Sequence, residues 1–180
     1  MILEHKYSLR SDDFLKLLLY KYSKNKAQQK QYKFRYIKSG IFVSLMLYIL
    51  YNTLSFDNNV FLISIPVFIT YYLLDYLFLL KKRIKKQYEN YLYNSSSSKF
   101  NVEINLKIDN NAIIFSDYTG NTSLFLNAIE SIVLLNNLII ITSKTDNQNI
   151  IKGNQEIIDD FILHFEKNNI SVIDNSNWKW

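Results

Sequence analysis

The pattern of hydrophobic and polar positions changes near residue 99. Before it, two long runs lack a polar rhythm: residues 39–56 carry no charge, and residues 60–80 carry only Asp75. A helix needs about 20 apolar residues to cross roughly 30 Å of hydrocarbon. The runs therefore predict a transmembrane hairpin with helices at 36–56 and 60–80 and a turn at 57–59.

Basic residues flank the hairpin, and its turn has none. The positive-inside rule keeps Lys and Arg on the cytoplasmic side. We therefore expect a protein of the bacterial cytoplasmic (inner) membrane with both termini cytoplasmic. The residues that set this orientation are Lys30, Lys33, Arg35 and Lys38 before the first span, and Lys81, Lys82, Arg83, Lys85 and Lys86 after the second.

Asp75 is the one acid within the predicted spans. An intramembrane acid is a candidate polar site by default. The alternative is an interfacial acid paired with Lys81 or Lys82, because Lys82 lies seven residues ahead on nearly the same helix face. We favour the paired acid and keep Asp75 as a possible intramembrane polar site.

The N-terminal residues predict a strand followed by a helix. Apolar and polar residues alternate from Leu3 to Leu9, and such a strand needs a sheet elsewhere in the chain. Ser11 and two acids then open an amphipathic basic helix. Its apolar stripe either packs on the C-terminal domain or lies on the anionic inner leaflet, and we favour packing.

From residue 100 the period of two predicts a small antiparallel β domain. Strands are expected at 100–108, 112–116, 122–126, 128–135, 138–143 and around Ile150, with a helix whose inner face runs from Ile157 to Phe165. The fold class is an α+β membrane protein whose cytoplasmic curved sheet or partial barrel is capped by a C-terminal helix. The predicted division is 1–35, 36–80, 81–98 (helix extension and serine linker), 99–173 and 174–180 (tail).

This layout resembles the YcxB-like family of small bacterial membrane proteins. The resemblance rests on the opening Tyr7 to Phe14, the hairpin, and the segment from Ile104 to Lys152, in particular its strand and turn at Leu106 to Asn111 and its apolar stretch at Leu124 to Val133. Near Phe125, where a Trp is common in the family, this chain has none. The family implies a pleckstrin-homology-like C-terminal domain and no catalytic residues.

Composition and motifs predict no chemistry. The chain has no cysteine, its two histidines are far apart in sequence, and its three glycines stand alone, so we expect no catalytic residues, no metal site and no cofactor. His164 is interpreted as packing at the core edge and Asp159-Asp160 as a solvated helix face. The net charge is +7 for residues 1–38 and −5 for 100–180, so the basic pI belongs to the hairpin flanks and predicts no nucleic acid partner.

We therefore expect a non-enzymatic inner-membrane protein that presents a cytoplasmic protein-interaction domain. One specific form is an immunity protein that neutralises a bacterial toxin by binding it. The expected partners are the lipid bilayer, another protein (a toxin or a membrane complex) and a second copy in a homodimer. The alternatives are a lipid- or membrane-sensing regulatory module and a subunit of an oligomeric transporter or channel.

Overall fold

The chain forms two compact units. The computed structural model describes residues 3–54, 66–67, 70–72, 74–95, 100–109 and 111–180. The described residues up to Leu17 and from Leu92 to Trp180 make one unit, here termed the β unit. Those between Leu18 and Tyr91 make the other, the helical unit. In sequence, the helical unit is therefore an insertion into the β unit.

Two four-stranded sheets build the β unit, where a single curved sheet or partial barrel was expected. The first has the order β1-β2-β3-β4 and is antiparallel throughout. The second has the order β7-β6-β5-β8, with β8 parallel to β5. The strands are β1 (Leu3–Ser8), β2 (Glu103–Ile108), β3 (Ala112–Asp117), β4 (Gly120–Phe125), β5 (Ile129–Leu135), β6 (Leu138–Ser143), β7 (Gln148–Lys152) and β8 (Val172–Asp174).

The strand at the N-terminus finds the sheet that the sequence required. Leu3 pairs with Ile108, and Ser8 pairs with Glu103, in one unbroken antiparallel register. The predicted turn between β5 and β6 is also confirmed: Asn136 has a φ of 51°, a left-handed conformation that Asn tolerates better than most residues. Alternation and turn chemistry thus place most strands of this unit correctly.

The core of the β unit lies under its C-terminal helix. Ile132, Leu138 and Ile141 on β5 and β6 have no exposed surface. The helix over Gln155–Lys167 begins at Asn154, whose side chain accepts a hydrogen bond of 3.0 Å from the Ile157 amide. Its predicted inner face is confirmed in part, since Ile158, Phe161 and Phe165 are fully buried.

Most of the other helical residues belong to the helical unit. A π-helical turn precedes the helix over Leu80–Ser95, and residues 66–67, 70–72 and 74 are also helical. A short 3₁₀ turn joins β4 to β5. The helices are α1 (Ser11–Lys24), α2 (Lys26–Leu54), the π turn (Asp75–Leu79), α3 (Leu80–Ser95), the 3₁₀ turn (Leu126–Ala128) and α4 (Gln155–Lys167).

The prediction of a transmembrane hairpin, and with it of an inner-membrane protein with cytoplasmic termini, is wrong. None of the helices in the described residues combines the length and the apolar character needed to cross a bilayer. Freedom from charge was a poor guide: from Ser39 to Leu54, seven of sixteen residues are Ser, Gly, Tyr, Asn or Thr. The same helix begins at Lys26 and carries five basic residues before Ser39.

Several predicted features lie outside the described residues. These are the turn at 57–59, the parts of the second predicted span at 60–65, 68–69 and 73, and the serine linker at 96–98.

Candidate functional site

Asp75 is the centre of a polar cluster in the helical unit. Its side chain is only 7% exposed. One carboxylate oxygen, Oδ1, accepts a hydrogen bond of 2.8 Å from Nη2 of Arg83, and the other, Oδ2, accepts one from the Tyr36 hydroxyl. The Tyr72 hydroxyl in turn donates to the backbone carbonyl of Tyr36. The cluster therefore ties α2 to the helical residues on both sides of the π turn.

The π turn explains why the partner of Asp75 is Arg83 and not Lys82. In a regular α-helix the residue seven ahead lies near the same face, which is the spacing that pointed to Lys82. A π turn inserts one extra residue, so the residue eight ahead takes that place. The paired-acid interpretation of Asp75 thus identified the right kind of interaction and the wrong partner.

Burial and a neighbouring negative charge both raise the pKa of the Tyr36 hydroxyl. Desolvation raises the pKa of Tyr36 most, and the hydrogen bond to the Asp75 carboxylate raises it further. The phenol therefore stays protonated and keeps donating at neutral pH. Gly40 allows the Tyr72 ring to pack closely against α2, because a Cβ at residue 40 would lie 2.9 Å from Cε1 of Tyr72.

A cavity of about 320 Å³ opens beside this cluster. Its polar lining includes Arg35, Ser39 and Gln87 in addition to the cluster itself. Each of the two carboxylate oxygens of Asp75 accepts a hydrogen bond from a side chain of this cluster. The described residues contain no group of three or more His, Asp or Glu side chains that could hold a metal ion. The hydrogen bonds of the Asp75 cluster connect α2 to the helical residues around the π turn.

The basic residues that were expected to orient the protein in a membrane all lie exposed on the helical unit. Lys38 stands over the Phe34 ring, with Nζ 5.0 Å from its centroid. Lys85 approaches Glu89 at 3.8 Å, and both side chains are about half exposed. The full set is Lys30, Lys33, Arg35, Lys38, Lys81, Lys82, Arg83, Lys85 and Lys86.

A broad apolar face of α2 is exposed next to the basic residues. Residues 34, 37, 41 and 45 recur at intervals of three or four, which places them on one side of the helix. Ile41 is 58% exposed and Leu45 is 56% exposed. Here termed the α2 face, this surface comprises Phe34, Ile37, Ile41, Phe42, Leu45 and Ile49, each more than half exposed. Monomeric proteins rarely leave contiguous apolar surface of this kind without a binding role.

In the β unit, side chains from the N-terminal strand cover the outer edge of β7. Tyr7 donates a hydrogen bond of 2.6 Å to the carbonyl of Ile150, and His5 Nε2 donates one of 2.8 Å to the carbonyl of Lys152. These two carbonyls are two residues apart and so point to the same edge of the strand. Burial raises the pKa of Tyr7 above its usual range, which keeps this donor protonated.

An ion pair completes this contact. Nζ of Lys152 lies 2.7 Å from Oδ2 of Asp13, whose side chain is 5% exposed. The same carboxylate oxygen accepts a hydrogen bond from the Arg10 amide, which caps the start of α1. Phe14 packs at 5.6 Å from the Phe100 ring, so the start of the helix packs on the β domain, as favoured from the sequence.

The other residues weighed for chemistry have structural surroundings. The carbonyl of His164 accepts a hydrogen bond of 2.8 Å from the side chain of Asn168 just beyond α4. Asp159 accepts one of 2.8 Å from Gln155 on the exposed face of the same helix. In the tail, the Trp178 amide donates to the carbonyl of Asn175. Asp75 belongs to the helical unit, and His5 and His164 belong to the β unit.

No protein-family model, no curated protein and no solved structure matches the chain. The resemblance to the YcxB-like family therefore stays a prediction, and the membrane hairpin that it implies conflicts with the helices described above.

Proposed function

We propose that this protein acts without catalysis, by binding another protein through the α2 face. The observation that carries the proposal is the exposure of large aliphatic and aromatic side chains along one side of a single helix. Burial of apolar surface is worth about 25 cal/mol per Å², so a partner that covers this face gains substantial binding energy. The polar cluster at Asp75 supports this use of α2, because it holds the helix from its opposite side.

The charges at the start of α2 define the chemistry of the partner. Lys30 and Lys38 lie four residues on either side of Phe34, so they share its side of the helix. The α2 face therefore continues into a basic end. A complementary surface has an apolar stripe that ends in acidic residues, and an amphipathic helix with acidic residues at one end provides both.

Two synthetic helical peptides test this proposal with the full-length chain. Both carry the same leucine stripe, and they differ only in whether one end carries glutamates or lysines. We expect the glutamate peptide to bind at least tenfold more tightly in fluorescence anisotropy, and the difference to shrink as salt is raised. Equal binding of the two peptides would contradict the assigned partner chemistry.

Matched substitutions locate the binding surface. Ile41→Asp on the α2 face should weaken binding of the glutamate peptide at least tenfold. Leu163→Asp is the control, because Leu163 is 52% exposed on α4 of the β unit. An equal loss of binding in the two variants would rule out the α2 face as the site.

Neutralisation of a toxin is one specific form of this function. It predicts that co-expression of the chain restores the growth of cells that produce the cognate toxin, and that Ile41→Asp abolishes the rescue while Leu163→Asp does not. Rescue that survives Ile41→Asp would separate the protective activity from the α2 face.

A further inference from the structure

The two sheets of the β unit have four edge strands, and three of them are protected. β1 carries Glu4 and Lys6, which pair with charged residues on β2. The carbonyls of β7 accept hydrogen bonds from the side chains of His5 and Tyr7. β8 is only three residues long and ends in Asp174. Charges, covering groups and short length are the usual devices that keep a sheet edge from pairing with another chain.

β4 has none of these devices. It runs for six residues, contains no charge and no proline, and pairs with β3 in an unbroken register without a bulge. It is the last strand in its sheet, and no strand among the described residues pairs with its outer edge. All of its residues except Leu124 are exposed. Within the part of the chain that the structure describes, the outer backbone groups of β4 are therefore available to an additional strand.

A cavity of about 580 Å³ lies at the C-terminal end of β4. Phe125, which is 59% exposed, forms part of its wall. The other apolar walls come from the 3₁₀ turn, the start of β5 and the segment before β8. Its lining consists of Phe125, Leu126, Ile129 and Ile170 together with the amides Asn111, Asn127 and Asn168. The cavity is large enough for an apolar side chain, and polar side chains of asparagine lie beside its apolar walls.

The other end of β4 is acidic. Asp117 closes β3, and its carboxylate accepts hydrogen bonds from Thr119 and from the Gly120 amide. These hydrogen bonds lower the pKa of Asp117, so it is ionised at neutral pH. The β unit as a whole has nine basic and thirteen acidic residues. This end of the edge therefore favours a basic residue on the incoming strand.

We propose that the outer edge of β4 binds an extended segment of another protein by strand addition. The segment runs antiparallel to β4, places an apolar residue near its N-terminal end in the cavity at Phe125, and carries a Lys or Arg at its C-terminal end near Asp117. Backbone hydrogen bonds supply the affinity, and the cavity and Asp117 supply the direction and the specificity. This site lies on the β unit and does not depend on the function proposed for the α2 face.

A synthetic peptide with phenylalanine at its N-terminal end, alternating threonine and valine, and lysine at its C-terminal end tests the proposal on the full-length chain. The comparison peptides carry N-methyl groups on one or the other alternating set of backbone nitrogens. Only one set can face β4, because successive amides of a strand point to opposite edges. We expect methylation of one set to abolish binding, methylation of the other to leave it unchanged, and NMR shifts to concentrate on β4 amides.

Two exposed aromatic residues provide the matched variants. Phe125→Ala should weaken binding of the unmethylated peptide about tenfold, whereas Tyr118→Ala, at a residue 74% exposed in the turn before β4, should leave it unchanged. Three results would overturn the proposal: equal binding of all methylated forms, equal loss in the two variants, or self-association of the chain that protects β4 amides and excludes the peptide. The last would assign the edge to a second copy.

Discussion

The two units of this chain differ in charge and in what they bury. The helical unit has twelve basic and three acidic residues, a net charge of +9, while the β unit has a net charge of −4. In the β unit, Phe161, Phe165 and Ile132 have no exposed surface. In the helical unit, Ile41 and Phe42 leave more than half of theirs exposed. The comparison shows that apolar side chains can stabilise a fold in one region and remain available for a partner in another.

The largest expected effect tests the burial side of this comparison. Phe161→Ala removes a fully buried ring and leaves a cavity, so it should lower the free energy of unfolding by about 3–5 kcal/mol. The two tryptophans of the chain both lie in the tail of the β unit, so chemical denaturation followed by their fluorescence reports on this unit. Ile41→Ala is the contrast and should change the stability by no more than about 0.5 kcal/mol. Similar losses of stability in the two variants would contradict the contrast between the buried core of the β unit and the exposed α2 face.

Ion pairs inside the β unit provide the next test. Lys152→Met leaves the buried carboxylate of Asp13 without its cation and should cost about 1–3 kcal/mol, less than for a fully buried pair because the Lys152 side chain is 25% exposed. The control is Lys107→Met, whose partner Glu4 is exposed and whose loss should cost about 0–0.5 kcal/mol. Denaturation midpoints would measure both changes. Equal costs would mean that the burial of Asp13 does not matter.

The polar cluster of the helical unit offers a smaller effect. Arg83→Gln weakens the pair with Asp75, but the Arg83 side chain is 60% exposed, so the expected loss is about 1 kcal/mol. Faster amide hydrogen exchange in α2 and α3 would show it. Lys82→Gln is the control and should leave exchange unchanged. Faster exchange in Lys82→Gln than in Arg83→Gln would instead support the pairing of Asp75 with Lys82 that a regular helix predicts.

The smallest expected effect is a pH dependence at α4. Burial lowers the pKa of His164 below its usual value of about 6.5, so the folded state binds a proton less readily than the unfolded state. The contribution of His164 to stability is therefore complete above the unfolded pKa and is lost as the pH falls below it. We expect His164→Gln to reduce the decline in stability between pH 7.5 and pH 5.5. If the decline in stability is the same in His164→Gln, other titrating groups cause it.

The β unit could largely be predicted from the sequence. Alternation of apolar and polar residues placed β2, and the apolar runs on either side of Asn136-Asn137 placed β5 and β6. The partner of β1 could not be identified, because alternation shows that a strand exists and not which strand lies beside it. Nothing in the sequence pattern indicated that the strands divide into two separate sheets.

The helical unit was predicted poorly for a physical reason. A run without charge resembles a membrane span even when serine, tyrosine and asparagine interrupt it, as they do from Ser39 onward. Asp75 stood out in the sequence as the one acid of the second apolar run. Its contacts with Tyr36 and Arg83 could not be foreseen, because no sequence signal marked the π turn that shifts the helix by one residue.

The pairing of β1 with β2 also sets the order in which the chain can fold. Ser8 pairs with Glu103, so this strand contact can form only after the whole inserted helical unit has been synthesised. Within the helical unit, Gln28 donates a hydrogen bond of 3.0 Å to the Tyr88 hydroxyl, so its two ends are drawn together. If that contact forms first, the loop that β1 must close shortens from roughly 95 residues to roughly 35, which lowers the entropic cost by about 1 kcal/mol. In that case the inserted helices shorten a non-local closure, and we expect β1 to pair faster than the sequence separation alone would allow.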